Sequence, residues 1–129
     1  KASSQSLKKD DEKVENVVDI NQICIEDFER ITLRVGTVLK CEKVPKADKL
    51  LCSSIDVGEQ SPRTIVSGIA KWYSAEEMVG KQVIVVANLK PAKLRGIESQ
   101  GMILCASDDE DNLCIVSPTK SIKSGSEVR

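Results

Sequence analysis

Residues 31–41, ITLRVGTVLKC, are the stretch that decides the fold. Apolar and polar side chains alternate along most of it, which is the period of a strand with one buried face. Val38 interrupts this alternation, and Gly36 favours a bend or β-bulge, the device by which barrel strands curve. The face predicted to be buried consists of Ile31, Leu33, Val35, Leu39 and Cys41. The stretch therefore predicts the first strand of a small curved sheet.

More strand-like segments follow toward the C-terminus. They cover residues 50–57, 63–67, 82–89 and 101–107, with a short one at 113–116. Ser74 and Glu77 have capping-box spacing, so a short helix is expected between the third and fourth strands. Five core strands with a helix in that position predict an all-β fold, the five-stranded oligonucleotide-binding barrel. A small sandwich or another compact barrel is the alternative.

The N-terminal side of the first strand has a different composition. Residues 1–18 are rich in Ser, Lys and Asp and are predicted to form a disordered linker, while residues 19–129 form the domain. A helical turn is expected within residues 20–28, with Phe28 as its anchor. A chain of 129 residues is long enough for one domain of this kind.

The residue types present exclude several classes of chemistry. The chain has no histidine and no Cys-x-x-Cys pair, so the sequence predicts no metal site, no cofactor and no catalytic activity. Its apolar runs are strand-sized, so no membrane span is predicted. Four cysteines in strand-like segments are expected to be small buried residues, which indicates a reducing compartment, the cytoplasm. They are Cys41, Cys52, Cys105 and Cys114.

Charge is distributed unevenly along the chain. The net charge is −1, but residues 34–100 contain eleven cations and seven anions, a local charge of +4. The flanking segments, 1–33 and 101–129, carry −3 and −2. A basic middle between acidic flanks is typical of a domain with one phosphate-binding face.

Two loops concentrate these cations. Residues 88–102, NLKPAKLRGIESQGM, contain Lys90, Lys93 and Arg95 and join the fourth and fifth strands, and residues 44–50 join the first two. An ordinary solvated surface is the alternative explanation for such charged loops. Only three residues are aromatic, and Trp72 and Tyr73 are expected to cover the core, so a folded RNA fits better than a single strand held by stacking.

Several motifs in order resemble a known family. They are IEDF at 25–28, LRVG at 33–36, P-x-ADKL at 45–50, VG at 57–58, PRTIVSG at 62–68, the loop at 88–102 and LCAS at 104–107. The set resembles the tRNA-binding domain family appended to methionyl-tRNA synthetases. That family also includes the precursor of endothelial monocyte-activating polypeptide II, a yeast synthetase cofactor and a bacterial tRNA-binding protein.

The resemblance implies an oligonucleotide-binding barrel that contacts tRNA largely irrespective of the amino acid the tRNA carries. The implied contacts are Lys49, Ser67, Asn88, Lys90, Lys93, Arg95, Ser99 and Met102. Arg34, Lys43 and Lys46 are expected as additional RNA contacts. Two interpretations stay open for Asn88 and Ser99: contact with RNA, or hydrogen bonds that tie the loop's own backbone. For Met102 the alternative is core packing.

The resemblance also implies partners and a role. The expected partners are tRNA and the catalytic domain of an aminoacyl-tRNA synthetase, methionyl first, in cis or in trans. The oligomeric state is either a homodimer, as in bacterial members, or a chain from which a dimer-mimicking C-terminal module has been removed. Three other functions remain open: a free-standing synthetase cofactor, a cytokine-like interaction fragment, and a peptide-binding chaperone on the same fold.

Overall fold

The computed structural model describes residues 20–129 and divides the chain into two units, one ending at Arg30 and one starting at Ile31. The first unit contains helix α1, Ile25–Glu29. Asp27 holds the start of this helix, because its Oδ2 accepts a hydrogen bond from the backbone N of Cys24 at 3.1 Å. The predicted helical turn is therefore present. The predicted linker, residues 1–18, lies outside the described residues.

The second unit is a nearly closed antiparallel barrel. Its main strands are β1 (Leu33–Val44), β2 (Ala47–Asp56), β3 (Arg63–Ser67), β4 (Gln82–Val86) and β7 (Met102–Ile103), in the order β3-β2-β1-β4-β7. The smaller elements are helix α2 (Ala75–Met78) and strands β5 (Ala92–Leu94), β6 (Ile97–Ser99), β8 (Cys105–Ser107), β9 (Leu113–Ile115) and β10 (Glu127–Val128). Strand β10 pairs with β1, β5 with β6, and β8 with β9.

The two edges of the main sheet approach each other at β3. The backbone N of Gln100 donates to the carbonyl O of Thr64 at 2.7 Å, and the backbone N of Thr64 donates to Oε1 of Gln100 at 2.8 Å. These bonds fasten the residues just before β7 to β3. The predicted all-β, barrel-like fold, with a short helix between the third and fourth strands, is confirmed.

Strand β1 curves at a β-bulge. Its register with β2 shifts between Val38 and Lys40, so one extra residue is inserted there. Val38 lies two residues after Gly36 and faces the barrel interior with it, at 1% exposure, while Leu39 points outward at 46%. The prediction that Leu39 lies on the buried face was wrong, because regular alternation turns Leu39 away from the side that Gly36 and Val38 face. Beyond the bulge it is Cys41 that packs against the core. Ile31, also predicted to be buried, is 46% exposed.

Gly36 serves a different purpose from the predicted bulge. A Cβ at this position would lie 2.5 Å from Cγ2 of Ile55 and 3.1 Å from Cγ1 of Val57. Gly36 is itself buried, and it lies in a stretch of β1 that pairs with β4 without a break in register. The residue is small because the interior side chains of β2 need the space that a side chain would occupy.

The first hairpin is longer than predicted. Strands β1 and β2 extend to Val44 and from Ala47, so the expected loop over residues 44–50 is reduced to the turn Pro45–Lys46. Proline fixes the first φ of this turn, and Lys46 adopts a left-handed conformation with φ 63°. The hairpin tip therefore lies beyond the barrel wall.

The predictions for the third strand and for the short helix after it are confirmed. Strand β3 has the predicted bounds. Helix α2 begins with the predicted capping box: Oγ of Ser74 accepts from the backbone N of Glu77 at 3.2 Å, and Oε2 of Glu77 accepts from the backbone N of Ser74 at 2.8 Å. The later strands differ. The fourth ends at Val86, the fifth is divided into β7 and β8, and the loop between them contains the hairpin β5–β6.

The main core fills the barrel interior. Its most enclosed residues are Val38, Leu51, Ile55, Val57, Ile65, Ile69, Met78, Val83 and Val85. Tyr73 packs against this core, and its hydroxyl accepts a hydrogen bond from the backbone N of Ile115 at 3.0 Å. Trp72 is half-buried, its Nε1 donates to the carbonyl O of Asp111 at 2.9 Å, and Lys71 Nζ lies 5.4 Å from its ring centre. Tyr73 therefore covers the core, as predicted, whereas the hydrogen bond of Trp72 connects its segment to the turn at Asp111.

A second apolar cluster lies on the outer face of the first three strands. It consists of Val44, Ala47 and Val66, with Leu50, Cys52 and Ile97 packed against them. Cys52 and Val66 are cross-strand partners, and their neighbours Ser53 and Ile65 face the interior. Because side chains alternate along a strand, Cys52 and Val66 face outward. Ile97 is the contribution of β6, so this cluster attaches the hairpin β5–β6 to the barrel.

The cysteines divide into two groups, and all five are free. Cys41, Cys52 and Cys105 are half-buried, and burial raises the pKa of each of these thiols. Cys114 is exposed, so its predicted burial was wrong. It belongs to β9, whose alternation turns Leu113 and Ile115 inward and Cys114 outward.

Substituting Gly36 tests the packing of β1 on β2. We expect Gly36→Ala to reduce the free energy of unfolding by about 1–3 kcal/mol, because the added Cβ overpacks the interior against Ile55. Gly68→Ala is the matched control, since its Cβ would meet atoms only at 3.9 and 4.0 Å. Urea denaturation measures both variants. Equal midpoints would show that the barrel interior accommodates the methyl group.

Substituting Ile97 tests the second cluster. We expect Ile97→Ala to weaken the attachment of the hairpin by about 1 kcal/mol, which increases the alkylation rate of Cys52 about fivefold. Leu94→Ala is the control, because Leu94 is the cross-strand partner of Ile97 but is 39% exposed. Peptide mass spectrometry after timed alkylation reports Cys52 separately from the other thiols. Unchanged labelling in Ile97→Ala would contradict the packing described above.

Candidate functional site

The hairpin β5–β6, called the cationic hairpin below, is closed by a two-residue turn. Arg95 and Gly96 form the turn with φ 53° and 82°. Two successive positive φ values match the twist of paired strands, and glycine adopts them without strain. Arg95 is held at the tip, where its side chain is exposed.

The register of the cationic hairpin sorts its side chains onto two faces. Leu94 pairs with Ile97 and Lys93 pairs with Glu98. Since Ile97 faces the second cluster, the adjacent Lys93–Glu98 pair faces the opposite way. Lys93 therefore projects away from the barrel toward solvent.

The second cluster brings two cationic turns together. Ile97 of the cationic hairpin packs against the apolar cluster that contains Val44 and Ala47, the two residues that flank the turn Pro45–Lys46. The exposed cations of these two turns, with those just before and after them, are called the cationic rim. They are Lys43, Lys46, Lys49, Lys90, Lys93 and Arg95.

The cations of the rim have no counter-charge among the described residues. Ion pairs in residues 20–129 include Arg63–Glu59, Lys71–Asp111 and Arg129–Glu127. None of the six rim cations forms an ion pair with a carboxylate of the described part of the chain. Their ammonium and guanidinium groups are thus available to an external anion.

Ser99 and Asn88 tie the loop to the barrel. Ser99 is 4% exposed; its Oγ accepts from the backbone N of Val66 at 3.0 Å and donates to the carbonyl O of Gly101 at 3.1 Å. Oδ1 of Asn88 accepts from the backbone N of Thr32 at 2.9 Å. These bonds agree with the alternative in which both side chains tie down the backbone. A direct RNA contact by either one stays a prediction.

The remaining predicted contacts occupy different positions. Met102 is 46% exposed and pairs with Val86, so it lies at the same end of β4 as the loop that begins at residue 87. Ser67 pairs with Leu51, and its Oγ is enclosed without a hydrogen bond to the described residues. The structure does not bring Arg34 to the cationic rim. Its Nη1 donates to the carbonyl O of Gly125 at 3.2 Å, next to β10.

The sequence analysis missed Arg63. Its guanidinium binds both carboxylate oxygens of Glu59 and the carbonyl oxygens of Ala87 and Gln100. The hydrogen bond from Arg63 lowers the pKa of Glu59, and the same bond raises the pKa of Arg63. The sequence shows only that Glu59 and Arg63 are four residues apart. This spacing does not predict that Arg63 also binds the carbonyl oxygens of Ala87 and Gln100.

Beside Arg63 lies an open cleft of about 460 Å³. Its lining includes Pro62, Leu89, Pro91 and Gln100. Within residues 20–129, no group of three or more carboxylate or thiol side chains is arranged to hold a metal ion. The helices found in that same range are too short or too polar to cross a membrane.

Comparisons with known proteins relate this geometry to a family. The model of a putative tRNA-binding domain matches residues 33–127. Over 107 residues, 83% of the chain, the sequence is 59% identical to a methionine–tRNA ligase of Porphyromonas gingivalis and 56% identical to that of Deinococcus radiodurans. The chain spans 16% of the length of each of these relatives.

A solved structure shares the fold over its whole length. It is a protein from Pyrococcus horikoshii described as related to methionyl-tRNA synthetase, with a TM-score of 0.80 and 34% identity. The superposition covers 85% of this chain and all of that one. The family match extends from the first strand of the barrel to the last, and it includes both turns of the cationic rim. The chain belongs to the family of tRNA-binding domains that also forms a C-terminal part of methionyl-tRNA synthetases.

Proposed function

We propose that the barrel binds the sugar–phosphate backbone of folded tRNA through the cationic rim, largely irrespective of the amino acid that the tRNA carries. The single observation that carries this proposal is the meeting of two cationic turns on one apolar cluster. Family membership supports a tRNA ligand, and the exposed rim cations, which form no ion pair within residues 20–129, supply the chemistry. The barrel acts as a binding domain rather than as a catalyst.

Local charge supports an anionic ligand despite the acidic chain. Residues 43–49 and 88–99 together contain six cations and two carboxylates, Asp48 and Glu98. Phosphate contacts of this kind position a nucleic acid without reading its sequence. An excess of this size, concentrated on one rim, attracts polyanions while the overall charge stays at −1.

The placement of the aromatic side chains favours a folded RNA. Non-specific single-strand binding relies on aromatic platforms for the bases. Here Tyr73 is bonded to Ile115 and Trp72 to Asp111, so both rings are engaged in protein contacts. Recognition by shape, phosphates and ribose hydroxyls suits the rim better.

We infer further that the barrel serves a methionyl-tRNA synthetase, in cis or in trans, by raising the concentration of tRNA near the catalytic domain. Tethering makes the second contact intramolecular, so a weak binding domain is sufficient. Residues 1–18 are the proposed tether. The free thiols support a reducing compartment, and we propose the cytoplasm for this role.

Removing the two outermost cations tests the site. We expect Lys93→Ala combined with Arg95→Asn to weaken tRNA binding by at least about tenfold, because charge-assisted contacts to phosphate are lost. Asparagine is chosen at position 95 because it tolerates the left-handed backbone. Filter binding or gel shift at fixed salt measures the affinity.

The matched control is Lys120→Ala with Lys123→Ala, which removes the same charge. These lysines flank Ile122, whose backbone is bonded to Gln82 at the start of β4, the end away from the rim. We expect this control to bind nearly as the parent does. Equal losses in both double variants would show a diffuse charge effect and no site.

The salt dependence of binding tests the electrostatic basis. If about four rim cations contact phosphates, the affinity for tRNA falls about 10²-fold between about 50 and 200 mM salt. Titrations at several salt concentrations give the slope. A slope near zero would contradict binding through phosphate contacts.

A further inference from the structure

One guanidinium holds both ends of the segment that carries the cationic hairpin. Nη1 of Arg63 donates to the carbonyl O of Ala87 at 2.7 Å and to the carbonyl O of Gln100 at 3.0 Å. Ala87 follows the last residue of β4, and Gln100 follows the last residue of β6. One nitrogen atom of Arg63 therefore binds both the residue at which the chain leaves the barrel and the residue at which it returns.

Glu59 fixes the orientation of this guanidinium. Nε and Nη2 of Arg63 donate to its two carboxylate oxygens at 2.9 and 2.7 Å. A bidentate pair of this kind holds the plane of the guanidinium as well as its position. Lysine has the same charge but not the fork, so it cannot bind the carboxylate and both carbonyls in this geometry.

We propose that Arg63 is a positioning residue for tRNA binding. It sets the spacing between the two ends of residues 88–99, so that Lys93 and Arg95 stand beside the cations of the first hairpin. This inference rests on the proposed function of the rim. Arg63 acts through the loop because four of its five N–H donors are engaged within the protein and its side chain is 20% exposed.

Removing Glu59 separates positioning from charge. Glu59→Ala removes a negative charge, so electrostatics alone predicts tighter binding to tRNA. Positioning predicts the opposite, since Arg63 is released from its fixed orientation. The matched control is Glu127→Ala, which removes a carboxylate paired with Arg129 on β10. We expect Glu59→Ala to weaken binding severalfold and Glu127→Ala to leave it unchanged or slightly tighter.

Arg63→Lys gives a double-mutant cycle at constant charge. We expect this variant to bind tRNA about tenfold more weakly than the parent, with a shallower salt slope. In the Lys93→Ala, Arg95→Asn background we expect Arg63→Lys to change affinity less than about twofold, because the cations it positions are already gone. All titrations are run well below the thermal midpoint of each variant, so that only folded protein is compared.

The outcomes separate the two proposals. A parent that does not bind tRNA overturns the proposed function. A parent that binds, with Arg63→Lys and Glu59→Ala binding equally well, overturns the positioning role alone. Losses that add fully in the double-mutant cycle also overturn it, since they would show that Arg63 acts independently of Lys93 and Arg95. Faster hydrogen exchange in residues 88–100 of Arg63→Lys, with reduced affinity, supports it.

Discussion

Strand β1 pairs with one neighbouring strand along its first half and with another along its second half, and the rest of the barrel depends on this change of partner. It pairs with β4 from Leu33 to Thr37 and with β2 from Thr37 onward. A flat strand could not pass from one partner to the other on a closing sheet, so the bulge beside Leu39 bends it. Gly36 gives the interior side chains of β2 and β4 room on the concave side. Curvature and close packing are thus provided by adjacent residues of one strand.

The candidate site depends on an apolar face outside the main core. Val44 and Ala47, beside the turn of the first hairpin, share this face with Val66 of β3, and Ile97 of the cationic hairpin packs against it. The cationic hairpin is only two three-residue strands, so its position depends on this contact and on its bonds to β3. Ser99 and Gln100 then stitch its return to β3, and Arg63 joins its two ends. The position of the cations thus depends on the apolar cluster, on the bonds to β3 and on Arg63 together.

Local sequence patterns predicted those elements that local forces stabilise. Strand β3 and helix α2 follow from alternation and from the Ser74 capping box, and the barrel class follows from their order. The errors have different causes. Leu39 faces outward because the interior side of β1 is formed by Gly36 and Val38, which the predicted apolar face left out. The cationic hairpin was treated as loop because strands of three residues have no measurable period. The cations were found from composition, but Ile97 acts through a cluster built from other strands, and Arg63 acts through the carbonyls of Ala87 and Gln100, 24 and 37 residues away. No periodicity encodes such contacts, so the arrangement that makes the cations a site required the structure.

Within residues 20–129, backbone and apolar contacts hold the rim in place and no carboxylate pairs with its cations, which has a consequence for binding. An ion-paired lysine must give up a partner before it meets a phosphate, whereas the rim lysines lose only water. Phosphate contacts of this kind are individually weak and fall with salt, so the complex forms and dissociates readily. Stacking platforms would hold RNA more firmly and would favour exposed bases over a folded contour. The proposed delivery of tRNA to a catalytic domain requires release after each cycle, and effective concentration compensates for the modest affinity. Rim cations that form no ion pair within residues 20–129, without aromatic platforms beside them, fit both requirements of that proposal.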